Sequence, residues 1–179
     1  MKLKLTIVTL AISVAAGLAA VAGSAAPART TSTPGTIVQV AAANPQFSTL
    51  VSLVKKAGLA GALSKGSLTV FAPTNAAFAY LKAHDPATFK AATTNVSVLK
   101  KVLTYHVVGK KIPATAAIAA AKSGAKVPTL EGEKISLSLA GGKIKLNGSA
   151  TVVKADVMAS NGVIHVINRV LVPPSIGMK

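Results

Sequence analysis

"NGVIHVINRVLVP", residues 161–173, is the stretch on which the fold turns. Asn161-Gly162 and Pro173 bracket an apolar run of strand length. In "VIHVI", alternation puts Ile164 and Val166 on one face and Val163, His165 and Ile167 on the other. Both faces are apolar apart from the histidine, so the strand is expected to be buried on both sides. A histidine inside such a strand has its ring nitrogens satisfied by neighbouring groups. His165 is therefore expected to hold the fold together and not to catalyse or to bind metal. Asn168 and Arg169 lie where the strand leaves the core, and Arg169 is expected to reach solvent.

Upstream, "TVVKADVM" (151–158) reads as a further strand, joined to the first through the tight "ASNG" turn. In "KISLSLAGGKIKLNG" (134–148) the apolar Ile135, Leu137, Leu139, Ile144 and Leu146 alternate with Lys, Ser and Asn. Gly141-Gly142 and Asn147-Gly148 are hairpin turn signals, so a meander with one solvated face is expected. Lys134, Lys143 and Lys145 fall on that face.

The first half has a helical period. Asn44-Pro45 is a cap followed by a first-turn proline, Phe47, Leu50, Val51 and Val54 recur at i, i+3, i+4 and i+7, and Gly58 stops the helix. "SLTVFAP" (67–73) is a short buried strand, and Thr74 caps a short helix over 75–81. Asp85-Pro86 repeats the cap-plus-proline device, and Asn95 precedes a helix over 96–103. "TYHVVGKKI" (104–112) is expected to be a strand, and "ATAAIAAAKSG" (114–124) an Ala-rich helix ended by Gly124. Helices first and antiparallel strands after make an α+β architecture.

The N-terminus stands apart. "MKLK" followed by the uncharged, Ala-rich 5–21 and small-residue sites near Ala22–Ala26 is the pattern of a secretory signal peptide over 1–26. A flexible lead-in (27–35), one domain (36–174) and a short tail (175–179) follow. The signal predicts a secreted or periplasmic product with no membrane span after cleavage, and a monomer is expected. The chain has no cysteine, so packing alone must hold it.

Charge is the unusual quantity: 20 Lys and Arg face four acids, a net +16 over 179 residues. Without Lys2 and Lys4, 18 basic residues face 4 acids, a net +14. Such a surface attracts polyanions. Nucleic acid is disfavoured, because only Arg29 and Arg169 are arginines and the lysines are dispersed.

Three stretches, "LTVFAPTNAAFAYL" (68–81), "LTYHVVGKKI" (103–112) and "ADVMASNGVIHVINRVLVPP" (155–174), together resemble the two signature segments and the Tyr-His motif of fasciclin domains. The resemblance covers about 36–174. It implies a wedge of two β-sheets with helices packed around it, and an adhesion or extracellular-matrix role without enzymatic activity. The Tyr-His region, linked to integrin binding in some animal members, corresponds here to Tyr105 and His106. The chain carries Asn168 where the second signature often has an acid, and Asn75-Ala76 where the first often has one.

Chemistry finds little to work with. His84, His106 and His165 have no helical pairing with one another, and with four scattered acids no metal or cofactor site is expected. Ser160, His165 and Asp156 are close in sequence but lack a nucleophile elbow. Glu131 and Glu133 are expected to flank a turn in solvent. "NVS" (95–97) and "NGS" (147–149) match glycosylation acceptors but read better as a cap and a turn. The expected function is a secreted adhesion module that contacts a cell-surface or matrix protein or an anionic polysaccharide, through Tyr105, His106, Lys110, Lys111, Lys134, Lys143 and Lys145. The alternative is a carrier holding a small apolar ligand between wedge and helices.

Overall fold

A computed structural model describes residues 35–176. The signal peptide, all of the lead-in but Gly35, and 177–179 of the tail lie outside the described residues. Helix α1 (Ile37–Ala42) is followed by a 3-10 turn, Pro45–Phe47, and α2 (Ser48–Lys56). Asn44 caps that turn as expected, but the proline starts a 3-10 segment, and the α-helix begins at Ser48. Next come α3 (Ala60–Leu63), β1 (Leu68–Pro73), α4 (Asn75–His84), α5 (Pro86–Thr94) and α6 (Val96–Tyr105). Thr74, Asp85 and Asn95 cap these last three helices through side-chain oxygens. Strand β2 (Val107–Val108), α7 (Ala114–Lys122), β3 (Lys126–Pro128), β4 (Lys134–Ala140), β5 (Lys143–Leu146), β6 (Ala150–Ala159) and β7 (Gly162–Ile167) complete the chain.

The strands form one seven-stranded mixed sheet in the order β2-β1-β7-β6-β5-β4-β3, not the two sheets of the expected wedge. The cause is β6. Its first residues pair with β5 (Lys145↔Thr151, Leu146↔Ala150), and the rest pairs with β7, so one strand belongs to both halves. Register shifts after Val152 and Lys154 mark bulges that bend it. Asp156 sits in this irregular stretch with φ +54°. The sheet curls until the turn after edge strand β3 reaches edge strand β2, where the Leu130 N–H donates to the Val107 carbonyl at 2.8 Å.

Strand β7 lies parallel to β1 and antiparallel to β6, an interior position that accounts for its apolar faces. Ile164 and Val166 join Leu68, Val70 and Ala72 in a core cluster with Phe47, Leu50 and Val54 from the N-terminal helices. On the opposite side Phe71 and Ile167 join Tyr105, Ile135, Leu137, Ile144 and Leu146 beneath Ala117 and Ala121 of α7. The alternation in "VIHVI" therefore sorts side chains between two cores. Leu139, expected inward, is exposed near the end of β4.

The expected strand over 104–112 is largely absent. Helix α6 continues through Tyr105, and only Val107 and Val108 are extended. Leu99, Val102, Leu103 and His106 stand at i, i+3, i+4 and i+7, so the helical stripe runs on to the histidine. Its burial outweighs the β preference of the residues that follow.

Candidate functional site

His106 ends α6, and its ring is 2% exposed. Its backbone N–H turns to the Leu103 carbonyl, and ring Nδ1 donates to the Val102 carbonyl at 2.7 Å in its place. Nε2 accepts from the Leu171 N–H at 2.9 Å, and the His106 carbonyl accepts from the Phe71 N–H at 2.8 Å. One residue thus ties α6, β1 and the C-terminal segment. These bonds require a neutral ring, and burial pushes its pKa down to about 4 against a smaller opposing effect of the Val102 bond.

His165 is fixed in the opposite tautomer. Nε2 donates to the Ile112 carbonyl at 2.8 Å, Nδ1 accepts from the Asp156 N–H at 3.4 Å, and the ring stacks on Phe71 at 5.7 Å between centroids. It is Asp156's backbone that meets the histidine. Its carboxylate accepts from the Ala114 N–H at the start of α7, and the Ser160 N–H donates to Gly35. No Ser-His-Asp relay is assembled.

Tyr105 is fully buried. Its hydroxyl accepts from Asn147 Nδ2 at 2.7 Å and donates to the Lys134 carbonyl at 3.4 Å, so it fastens α6 to the meander. Burial raises its pKa, the Asn147 bond opposes this, and the charges of Glu133 and Glu131 add to the rise. Those two acids do not simply flank a turn in solvent. Glu131 accepts from the Glu133 N–H, Glu133 Oε1 accepts from the Ser175 N–H, and Glu133 Oε2 is buried without a partner. Tyr105 and His106 therefore form a structural junction, with neither ring at the surface where a docked partner could touch it.

The lysines are different. Opposed residues of antiparallel strands share a face. The register sets Lys145 opposite Ser138, Lys143 opposite Ala140, Lys134 opposite Pro128 and Lys126 opposite Ser136. Lys134, Lys143 and Lys145 thus lie on one outward face, with Lys126 joining them from a strand the sequence reading missed. The inward residues Ile135, Leu137, Ile144 and Leu146 are covered by α7. Lys110 and Lys111 are exposed on the loop after β2, outside these pairings, where the Lys110 carbonyl is held by Thr69 Oγ1. The two asparagines of the signatures are structural: Asn75 accepts from the Thr49 N–H, and Asn168 from the Thr151 N–H.

The apolar cleft between the N-terminal helices and the sheet has a cavity of only about 30 Å³. An apolar cavity that admits benzene is nearer 150 Å³. Among the described residues no three His, Cys, Asp or Glu side chains gather as metal ligands, and no helix is long and apolar enough to cross a membrane.

The model of the fasciclin domain matches residues 45–173. Protein sll1483 of Synechocystis sp. is 52% identical over 140 residues, spanning 78% of this chain and 74% of that protein. Immunogenic protein MPB70 of Mycobacterium bovis is 37% identical over 145 residues, 77% of this chain and 69% of that protein. Among solved structures, a FAS1 domain pair from the insect cell adhesion molecule fasciclin I superposes with a TM-score of 0.69 at 21% identity, over 79% of this chain and 52% of that one. That likeness covers the same mixed fold, and none of these matches indicates a catalytic family. From the match across 45–173 and relatives at these identities, the chain belongs to the fasciclin domain family.

Proposed function

We propose that this fasciclin domain acts as a secreted or periplasmic, non-enzymatic adhesion module, working as a monomer, that holds anionic polysaccharide on the outward face of β3–β5. The observation that carries the reading is the shared face of Lys126, Lys134, Lys143 and Lys145. Lys143 and Lys145 are two residues apart on one strand, about 7 Å. Lys126 and Lys134 are diagonal neighbours on adjacent strands, about 7–8 Å apart. Both spacings are within the screening length of about 8 Å at physiological salt, so each pair acts on a polyanion together. Lysine is a mobile point charge, which suits recognition of charge density over a defined motif. The structural likeness to an insect cell adhesion molecule supports the adhesion class.

The test is retention on an acidic-polysaccharide column across a salt gradient, for the wild type and for Lys134, Lys143 and Lys145 changed together to Gln. Retention should fall steeply with salt and fall further in the triple variant. Retention that ignores both would refute the reading. Capture of a matrix protein that is insensitive to salt would move the partner to protein. The carrier reading has no comparable support, given the small cavity.

A further inference from the structure

A second feature of the surface lies off the lysine face, between the end of α4, the β5–β6 turn and the segment after β7. Tyr80 and His84 are i, i+4 neighbours on α4, with ring centroids 3.9 Å apart. Arg169, two residues past the end of β7, places its guanidinium carbon 4.2 Å from the Tyr80 centroid. Both groups therefore pack against the one tyrosine ring. Such stacking holds the guanidinium in place and leaves its N–H donors free. Among the described residues no carboxylate pairs with Arg169.

The stack borders an open groove of about 280 Å³, whose walls include Asp85, Asn147 and Ser149. This is close to the lower bound of small-ligand sites and far larger than the core cavity. Asp85 is 8% exposed; its Oδ1 accepts from the Thr88 N–H at 3.0 Å, and its Oδ2 is buried without a donor. That oxygen is closed off from solvent, so Asp85 brings its negative charge to the groove wall and not a free acceptor. The groove thus offers a preorganised cation for a carboxylate, a negative charge on the opposite wall, and apolar flanks from Leu81 and Val172.

We infer that this groove is a subsite for one uronic-acid unit of an acidic polysaccharide. The carboxylate pairs with Arg169, sugar hydroxyls face His84 and Ser149, and the C–H edges of the ring lie on the apolar flanks. A multiply charged phosphate or a densely sulfated chain suits it less, because it brings only acceptors and further negative charge towards Asp85. A singly charged unit brings one negative charge to Arg169 and only neutral hydroxyls towards Asp85. Asn147 stands two residues beyond Lys145, so a polymer held along the lysine strands reaches the groove at the end of the same hairpin. The inference rests on the polysaccharide reading, while the site itself is separable from the lysine face.

The experiment is a titration of the isotopically labelled protein with tri-galacturonate, followed by backbone amide shifts. Saturable shifts are expected at Tyr80, His84, Ser149 and Arg169. Neutral maltotriose should bind at least about tenfold more weakly, the discrimination expected from a charge-assisted pair. Arg169→Gln should weaken tri-galacturonate by about ten- to a hundredfold. Arg169→Lys keeps the charge but loses the fork, and should recover less than half of that loss in log affinity. Shifts confined to β3–β5, or equal competition by inorganic phosphate, would overturn the subsite. If tri-galacturonate fails here while column retention still depends on the lysines, the polysaccharide reading stands and this inference falls.

Discussion

His106 should make the domain's stability depend on pH. Its ring is buried, and its two bonds require one neutral tautomer; desolvation lowers its pKa from 6.5 to about 4. In the unfolded chain the ring returns to the ordinary value, so between pH 6.5 and 4 the unfolded state binds the extra proton. Stability therefore rises with pH across this window and is lost as pH falls through it. From those two values the loss relative to neutral pH is about 2 kcal/mol at pH 5 and about 3 kcal/mol at pH 4. No charged side chain contributes to the shift, so salt should barely move the window. The assay is urea denaturation at pH 7, 5 and 4 at constant ionic strength, for the wild type and His106→Gln. The variant starts less stable but lacks the titrating ring, so its profile should be flatter by about 2–3 kcal/mol over the same range. Equal slopes in both proteins would refute the argument, as would an NMR titration in which the folded His106 ring protonates near pH 6.5.

Two further outcomes follow from the junctions described above. Tyr105→Phe leaves the Asn147 donor without its hydroxyl partner and should cost about 1–3 kcal/mol, read as a lower melting temperature, with retention on acidic polysaccharide unchanged. Gly162→Ala would drive a Cβ into the Leu68 carbonyl oxygen within the parallel β1–β7 ladder; a loss of more than about 4 kcal/mol, or failure to fold, is expected, and a near-native melting temperature would show the ladder to be more compliant than described.

Local chemistry was legible in the chain. The oxygens of Thr74, Asp85 and Asn95 cap the helices that they precede, because a cap bond spans two or three residues and needs nothing from the rest of the fold. The turns at Gly141-Gly142 and Asn147-Gly148 take the positive φ angles that their residue types favour. The same two-residue period that placed Lys134, Lys143 and Lys145 outward also divided β7 between two cores. Tertiary contacts decided what no window of a few residues contains. Whether "TYHVV" continues a helix depended on partners far away, since His106 finds Leu171 and Phe71, and Tyr105 finds Asn147. One sheet instead of two depended on β6 being long enough, and bent enough, to pair at both ends. The Arg169–Tyr80–His84 stack joins residues almost ninety positions apart in the sequence. Propensity and alternation act over a few residues, whereas burial is a property of the whole packed chain, so the sequence determined caps, turns and faces, and only the tertiary structure decided which side chains became junctions and which became surface.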